Sequence, residues 1–257
     1  MNRVIVETSN VASFLQGFRA LERRGAEEAC LMVVDGQPGL GKTTALTHWV
    51  AQTGAIYLRA CKEWSPNWFL ADLLQEGLRI SPKHGYQQRF RQSLEGLLLR
   101  QSDHARQKRT FAVVIDEADH ISRNARIMES IRDFSDIAAI PFVLVGMGKI
   151  RDNLSAFPQV ASRISQYVRF ERASLDDVEQ FATKLCEVPV ADDLVQFVHT
   201  VSNGYNREVK EALASIERFG KRNGAEAGRP VSLADLAGQV LINDRRTGNP
   251  IIVPEHA

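Results

Sequence analysis

A glycine-rich segment that follows the first apolar run constrains this chain more than any other feature. Leu31–Asp35 reads LMVVD, typical of a strand buried on both faces, and the next nine residues read GQPGLGKTT. These nine satisfy G-x-x-x-x-G-K-[ST] at a strand-to-helix junction, where backbone N–H groups and a helix N-terminus can surround phosphates. The pattern therefore predicts a phosphate-binding loop. Its residues are Gly36, Gln37, Pro38, Gly39, Leu40, Gly41, Lys42, Thr43 and Thr44.

A second motif follows the third apolar run, where Phe111–Ile115 leads into Asp116 and Glu117. We expect both carboxylates beside the phosphate loop, because the carboxyl ends of parallel strands meet at one sheet edge. Lys42 would then reach the β- and γ-phosphates of ATP. Thr43 and Asp116 would hold Mg²⁺, and Glu117 would deprotonate the attacking water. Alternatively, the two acids only cap the following helix.

The order of apolar runs and helical spacing indicates an α/β core followed by helices. Strands are predicted at Leu31–Asp35, Ala55–Leu58, Phe111–Ile115, Pro141–Gly146 and Tyr167–Phe170. Helices are predicted between them at 10–23, 42–52, 66–79, 86–101, 120–138 and 148–164. This alternation predicts a five-stranded parallel sheet flanked by helices over residues 1–172.

The remainder of the chain has a different pattern. Segments 174–186, 191–202 and 206–222 are amphipathic with no strand between them, which predicts a small all-helical lid at 173–223. For 224–257 we expect a linker (Gly224–Pro230), a short helix (Ser232–Leu241) and a tail.

Composition excludes several classes of protein. A net charge of +1 argues against a uniformly basic nucleic-acid coat, and 44% hydrophobic residues against disorder. The three cysteines form no CxxC pattern, which argues against a disulfide framework or zinc site. No apolar run has the ~18 residues of a membrane span and no signal peptide is visible, so we expect a soluble, cytoplasmic protein.

The motifs together resemble those of the AAA+ ATPases. The resemblance covers about residues 5–222 and rests on the phosphate loop, IDEAD at 115–119, the strand at 141–146 and Gly204-Tyr205-Asn206-Arg207. Within that superfamily the chain is most similar to the bacterial and phage transposition group, which includes the bacteriophage Mu B protein, TnsC and TniB. The resemblance implies ATP and Mg²⁺ as cofactors.

The same resemblance assigns roles to arginines outside the two motifs. Arg207 matches the second sensor, which contacts the γ-phosphate from the lid. Arg163 matches the region of the arginine finger that reaches a neighbouring subunit's nucleotide, with Arg151 and Arg169 as alternatives. The first sensor is commonly polar, but 145–148 reads VGMG here, so slow intrinsic hydrolysis is expected.

Cations outside these motifs suggest where DNA would bind. Segment 83–110 carries seven Lys and Arg against two acids, which is either a solvated helix face or a footprint for phosphates. Lys62 follows the second strand, and Arg123 and Arg126 are spaced to share one face of the next helix. These three could track a duplex backbone without reading bases. Alternatively, Trp64 and Trp68 pack under a loop whose Lys62 only faces solvent.

The resemblance implies a DNA-binding ATPase that assembles as a ring, spiral or filament on double-stranded DNA. It would present target DNA to a transposase, and hydrolysis would disassemble it. A protein-partnered AAA+ ATPase of the ExeA type is an alternative function. A P-loop small-molecule kinase is another, although Glu117 and Arg207 argue against it.

Overall fold

The computed structural model describes residues 1–2, 4–25, 30–223 and 229–255. They separate into two units, which we describe individually. The sheet unit comprises Ser13–Gln37 and Lys42–Phe170, and the helical unit comprises Met1–Ala12, Pro38–Gly41 and Glu171–Ala257. Within the described ranges, no helix has both the length and the apolar character needed to cross a membrane.

The first two thirds of the chain alternate helices and strands. In order, the elements are α1 (Ser9–Glu22), β1 (Leu31–Asp35), α2 (Lys42–Thr53), β2 (Ile56–Arg59), α3 (Pro66–Asp72), α4 (Tyr86–Arg106), β3 (Val113–Asp116), α5 (Ala125–Ala138), β4 (Phe142–Val145), α6 (Ile150–Ser155), α7 (Pro158–Ala161) and β5 (Ile164–Arg169). The strands form one parallel sheet in the order β2-β3-β4-β1-β5. The predicted five-stranded parallel sheet is confirmed.

The apolar runs predicted the central strands because these strands are buried. The first four residues of β1 are fully buried, and Leu31 pairs in register with Phe142 of β4. Phe69 and Phe134, both fully buried, belong to the same apolar cluster. Because the strands are parallel, Asp35 and Asp116 end β1 and β3 at the same edge of the sheet.

Several predicted elements of the sheet unit differ from the structure. The helix predicted over 120–138 begins at Ala125, and the helix predicted over 86–101 continues to Arg106. β5 starts at Ile164, three residues before the predicted strand. The prediction missed these residues because this edge strand is half exposed and lacks a continuous apolar run. The helix predicted over 148–164 is two short helices, since Pro158 begins α7. The helix predicted over 66–79 is α3 followed by a π-helical turn at Leu73–Leu78.

The helical unit contains α8 (Leu175–Leu185), α9 (Asp192–Ser202) and α10 (Asn206–Arg222), within one residue of the predicted helices. Ser174 and Asp177 form a capping box at the start of α8, satisfying N–H groups that the first helical turn leaves free. The apolar faces of the three helices share one buried cluster.

The predicted helix at Ser232–Leu241 and the predicted tail are both wrong. A 3₁₀ turn at Ala234–Leu236 leads into an antiparallel hairpin of β6 (Val240–Asn243) and β7 (Pro250–Ile252). Gly238, with φ 72°, ends the turn, and the VLI sequence of β6 favours a strand. Of the predicted linker, residues 224–228 lie outside the described chain.

Candidate functional site

Lys42 is the buried cation of the predicted phosphate loop. It begins α2 and is 7% exposed. Its Nζ donates hydrogen bonds to the carbonyl oxygens of Gly36 and, at 2.9 Å, Gln37. Burial lowers the pKa of Lys42, while the carboxylates of Asp35 and Asp116 favour its charged form. The ammonium group is therefore held against the loop whose N–H groups would bind phosphates.

Asp116 is held at the end of β3 by three hydrogen bonds. It is 4% exposed. Its Oδ2 accepts from Thr43 Oγ1 and Tyr57 Oη, each at 2.7 Å, and its Oδ1 accepts from the Glu117 N–H at 2.8 Å. Burial and the bond to Asp116 raise the pKa of Tyr57, so its phenol stays a donor. Hydroxyl and carboxylate oxygens are ligands that Mg²⁺ prefers, so Thr43 and Asp116 fit that ion.

Glu117 is held in an ion pair and in an uncommon backbone conformation. Its φ is 54°, in the left-handed region that non-glycine residues rarely adopt. Its Oε1 lies 2.6 Å from Arg59 Nη2, and its Oε2 lies 3.6 Å from His120 Nε2. Glu117 directly follows Asp116 in the sequence, but its carboxylate is held by Arg59 at the end of β2. Uncommon backbone conformations of this kind cluster at functional sites.

Two carboxylates anchor the loop after β4, where the family's first sensor would stand. The N–H of Met147 donates to Asp119 Oδ2, and that of Gly148 donates to Asp35 Oδ1. Asp35 Oδ1 also accepts from the Gly36 N–H at 2.7 Å. Among the described residues, the buried Asp119 Oδ1 has no hydrogen-bond partner. The carboxylates at this position thus come from Asp35, which ends β1, and from Asp119, which lies three residues after β3.

In the helical unit, residues 38–41 of the phosphate loop pack against the start of α10. Asn206 Nδ2 donates to the Leu40 carbonyl at 2.9 Å. Gly41 has φ 87°, which favours glycine. Arg207, the predicted second sensor, is exposed in the first turn of α10, directly after Asn206.

The three candidate arginine fingers have different surroundings in the sheet unit. Arg163, directly before β5, donates through Nε to both carboxylate oxygens of Asp136, at 2.9 and 3.1 Å. Arg151 of α6 lies over the ring of Tyr167, 5.0 Å from its centroid. Arg169 is the exposed last residue of β5. A finger role for Arg163 therefore requires the bond to Asp136 to open.

Lys62 is exposed in the turn after β2. Trp64, two residues later, is only 4% exposed, and its indole N–H donates to Asp72 at 2.8 Å. Trp68, which is 46% exposed, donates to the other oxygen of Asp72 at 3.0 Å. Trp64 is thus packed as the alternative interpretation expects, while the ring of Trp68 remains half in solvent.

Arg123 and Arg126 do not share a helix face, so that part of the prediction is wrong. Asn124 accepts from the Ile127 N–H and caps α5, so the helix begins after Arg123. Arg123 lies in the preceding turn and donates to Asn153 at 3.0 Å. Arg126 is exposed in the first turn of α5.

Segment 83–110 is mostly α4, and six of its seven cations are exposed. Arg89 is half-buried and donates to the carbonyls of Lys83 and Asn67. The exposed cations are Lys83, Arg91, Arg100, Arg106, Lys108 and Arg109. This distribution suits a solvated helix face and a phosphate-binding surface equally.

The sequence analysis missed several residues that surround the predicted site. Tyr57 lies within β2 and Arg59 is its last residue, and Asp35 precedes the first loop glycine. Asp119 is the last residue of the DEAD motif, and Asn206 precedes the predicted sensor. One signal could have found Arg59 and Asp35, because polar residues at the carboxyl ends of parallel strands collect at one sheet edge.

The sheet order, the phosphate loop after β1 and the acids after β3 define a P-loop α/β protein. Residues 24–154 match the family model of the AAA domain, which is more than half of the 257-residue chain. The chain therefore belongs to the AAA domain family. Among curated proteins, no sequence matches it significantly.

Solved structures show the same AAA+ fold at low sequence identity. The ORC1 protein of Aeropyrum pernix, in complex with DNA, has a TM-score of 0.56 and 14% identity, covering 86% of this chain. Cdc6p of Pyrobaculum aerophilum has a TM-score of 0.59 and 17% identity, covering 91% of this chain. A Thermotoga maritima RuvB mutant has a TM-score of 0.52 and 21% identity, covering 85% of this chain. The chain spans 62, 68 and 65% of these proteins, respectively.

Proposed function

We propose that this protein is a DNA-binding ATPase that assembles as an oligomer or filament on double-stranded DNA. ATP binding would favour assembly, the assembly would present target DNA to a transposase, and hydrolysis would drive disassembly. The observation that carries the proposal is the cluster of Lys42, Thr43, Asp116 and Glu117 at one end of the sheet. This cluster combines groups for phosphate, metal and water in one place.

In the proposed mechanism, Lys42 binds the β- and γ-phosphates, and Glu117 accepts a proton from the attacking water. Thr43 and Asp116 would hold Mg²⁺, which when bound neutralises phosphate charge. Tyr57 keeps the Asp116 carboxylate in one orientation through its 2.7 Å hydrogen bond. Glu117 must leave Arg59 before it can act as a base, so the ion pair would keep basal hydrolysis slow.

Exposed cations support the choice of DNA as partner. Lys62, Arg126 and the outward-facing cations of α4 can bind phosphates without reading bases. Two of the similar structures, those of Aeropyrum pernix ORC1 and Drosophila ORC, were solved with DNA. Two parts of the proposal, the transposase as partner and the assembly on DNA, rest on the resemblance to the transposition group.

Self-association would complete the active site. We propose Arg163 as the finger toward a neighbouring subunit's nucleotide, with Arg151 and Arg169 as alternatives. Arg207 would contact the γ-phosphate within its own subunit. Because Arg163 is bonded to Asp136 in the single chain, assembly would have to exchange that carboxylate for phosphate oxygens.

The decisive experiment measures duplex DNA binding with a nonhydrolysable ATP analogue, with ADP and without nucleotide, across a salt series. We expect tight binding with the analogue alone, and affinity that falls steeply with salt. Lys42→Ala should weaken nucleotide binding about 10- to 150-fold, because the variant lacks a hydrogen bond to a charged group. It should also abolish the nucleotide-dependent DNA binding.

Two outcomes would contradict the proposal. Unchanged nucleotide affinity in Lys42→Ala would exclude the phosphate-loop assignment. Tight nucleotide binding without any nucleotide-dependent DNA binding would exclude the DNA partner and leave a protein-partnered ATPase.

A further inference from the structure

Asn206, the first residue of α10, places an amide where an apolar side chain would be easier to bury. It is 7% exposed, and its Nδ2 donates to the Leu40 carbonyl at 2.9 Å. Among the described residues, no hydrogen-bond donor reaches its Oδ1. Leaving a buried polar atom unpaired is unfavourable, so the bond from Nδ2 is the gain that explains an amide at this position.

That bond fixes the orientation of one peptide plane in the phosphate loop. The carbonyl of Leu40 and the N–H of Gly41 belong to the same planar trans peptide, so they point in opposite directions. With the carbonyl directed at Asn206, the Gly41 N–H is directed away from α10. Only glycine permits this arrangement, because a Cβ at Gly41 would lie 2.7 Å from Asn206 Nδ2 and φ is 87°.

We propose that Asn206 is a positioning residue that aims the Gly41 N–H at the β-phosphate of a bound nucleotide. This inference rests on the proposed function, since N–H groups of such loops bind the α- and β-phosphates. Asn206 and Arg207 are consecutive residues of α10. One helix end would therefore orient the loop through its asparagine and contact the γ-phosphate through its arginine.

The test compares binding of fluorescent mant-ADP and mant-ATP to the full chain and its variants. Asn206→Leu keeps the number and branching of the side-chain heavy atoms but removes both the donor and the unpaired oxygen. We expect affinity for both nucleotides to fall by the same factor, about 2- to 10-fold, because one hydrogen bond to the β-phosphate is no longer oriented. The melting temperature should fall only modestly, because the variant leaves the Leu40 carbonyl without its donor but also removes the unpaired buried oxygen.

Two further variants separate this role from a general effect on the helical unit. Asn203→Gly removes a nearby amide at a position with φ 49°, which glycine tolerates, and should leave both affinities unchanged. Arg207→Ala should weaken mant-ATP alone, because its predicted contact is the γ-phosphate. If Asn206→Leu does not unfold cooperatively, Asn206→Ala lacks the same donor and should show the same equal reduction.

The outcomes are distinguishable from failure of the proposed function. If wild-type protein binds neither probe, the proposed nucleotide site is wrong. If wild type binds and the Asn206 variants bind equally well, or lose affinity for mant-ATP alone, Asn206 does not position the Gly41 N–H.

Discussion

Asp116 ends β3 and Lys62 lies in the turn after β2, its neighbouring strand, yet the two residues are held differently. Asp116 is 4% exposed and accepts three hydrogen bonds, so its carboxylate has one orientation. Lys62 is exposed, and the buried residue near it in the turn is Trp64, which donates to Asp72. Chemistry on one phosphoryl group requires the first kind of site, whereas binding to a long polyanion requires only the second.

This contrast predicts the largest effect at Glu117. Glu117→Gln keeps the size of the side chain but removes the charge that accepts a proton from water. Loss of general-base catalysis costs about 10²–10⁴ in rate, so ATP hydrolysis should fall by that factor. Nucleotide affinity should remain, because Lys42, Thr43 and Asp116 are unchanged. Steady-state hydrolysis and nucleotide titration measure the two quantities separately.

The same variant tests whether hydrolysis controls release from DNA. We expect Glu117→Gln to dissociate from duplex DNA far more slowly than wild type after dilution in ATP. Glu179→Gln makes the same chemical change at an exposed position of α8 and should behave like wild type. Equal dissociation rates with hydrolysis abolished would mean that turnover does not control release.

A smaller effect is expected on the exposed side of the comparison. Lys62→Glu should weaken DNA binding several-fold and equally for unrelated sequences, because binding to a phosphate carries no base information. The slope of log affinity against log salt should flatten by about one for each phosphate that the variant no longer neutralises. Fluorescence anisotropy with two unrelated duplexes at several salt concentrations provides the measurement.

Lys184→Glu is the matched control for Lys62, since Lys184 is an exposed lysine in the last turn of α8. It changes the net charge by the same amount and should leave the salt slope unchanged. If both variants weaken binding equally, the effect comes from net charge and Lys62 makes no specific contact. A reduction that depends on base sequence would contradict backbone tracking.

Sequence reasoning predicted the placement of residues correctly where that placement depends on their own strand or loop. The central strands are buried on both faces, so their apolar runs predicted them, and the acids after Ile115 followed from the strand end. It failed at the edge strand β5 and at β6, where exposure and a glycine turn change the pattern. Arg123 was misplaced because Asn124, an N-cap, begins the helix after it.

Pairings between distant elements could not be predicted in this way. Arg59 and Glu117 are 58 positions apart, and Leu40 and Asn206 are 166 positions apart. Their contacts depend on strand order and on packing, neither of which leaves a spacing pattern in the sequence. The strand order β2-β3-β4-β1-β5 places Arg59 opposite Asp116, next to Glu117, and only the structure reveals that neighbour.

The smallest predicted effect concerns this Arg59–Glu117 pair, where the fixed and exposed regions meet. Arg59 is largely exposed, and exposed ion pairs are weak, so Arg59→Ala should raise basal ATP hydrolysis by no more than about fivefold. Arg79→Ala removes a comparably exposed arginine from its ion pair with Glu76 and should leave the rate unchanged. A fall in the rate of Arg59→Ala, measured without DNA, would mean that Arg59 assists hydrolysis. Arg59 would then belong with Lys42 to the catalytic site, and the end of β2 would be part of the fixed region and not of the exposed one.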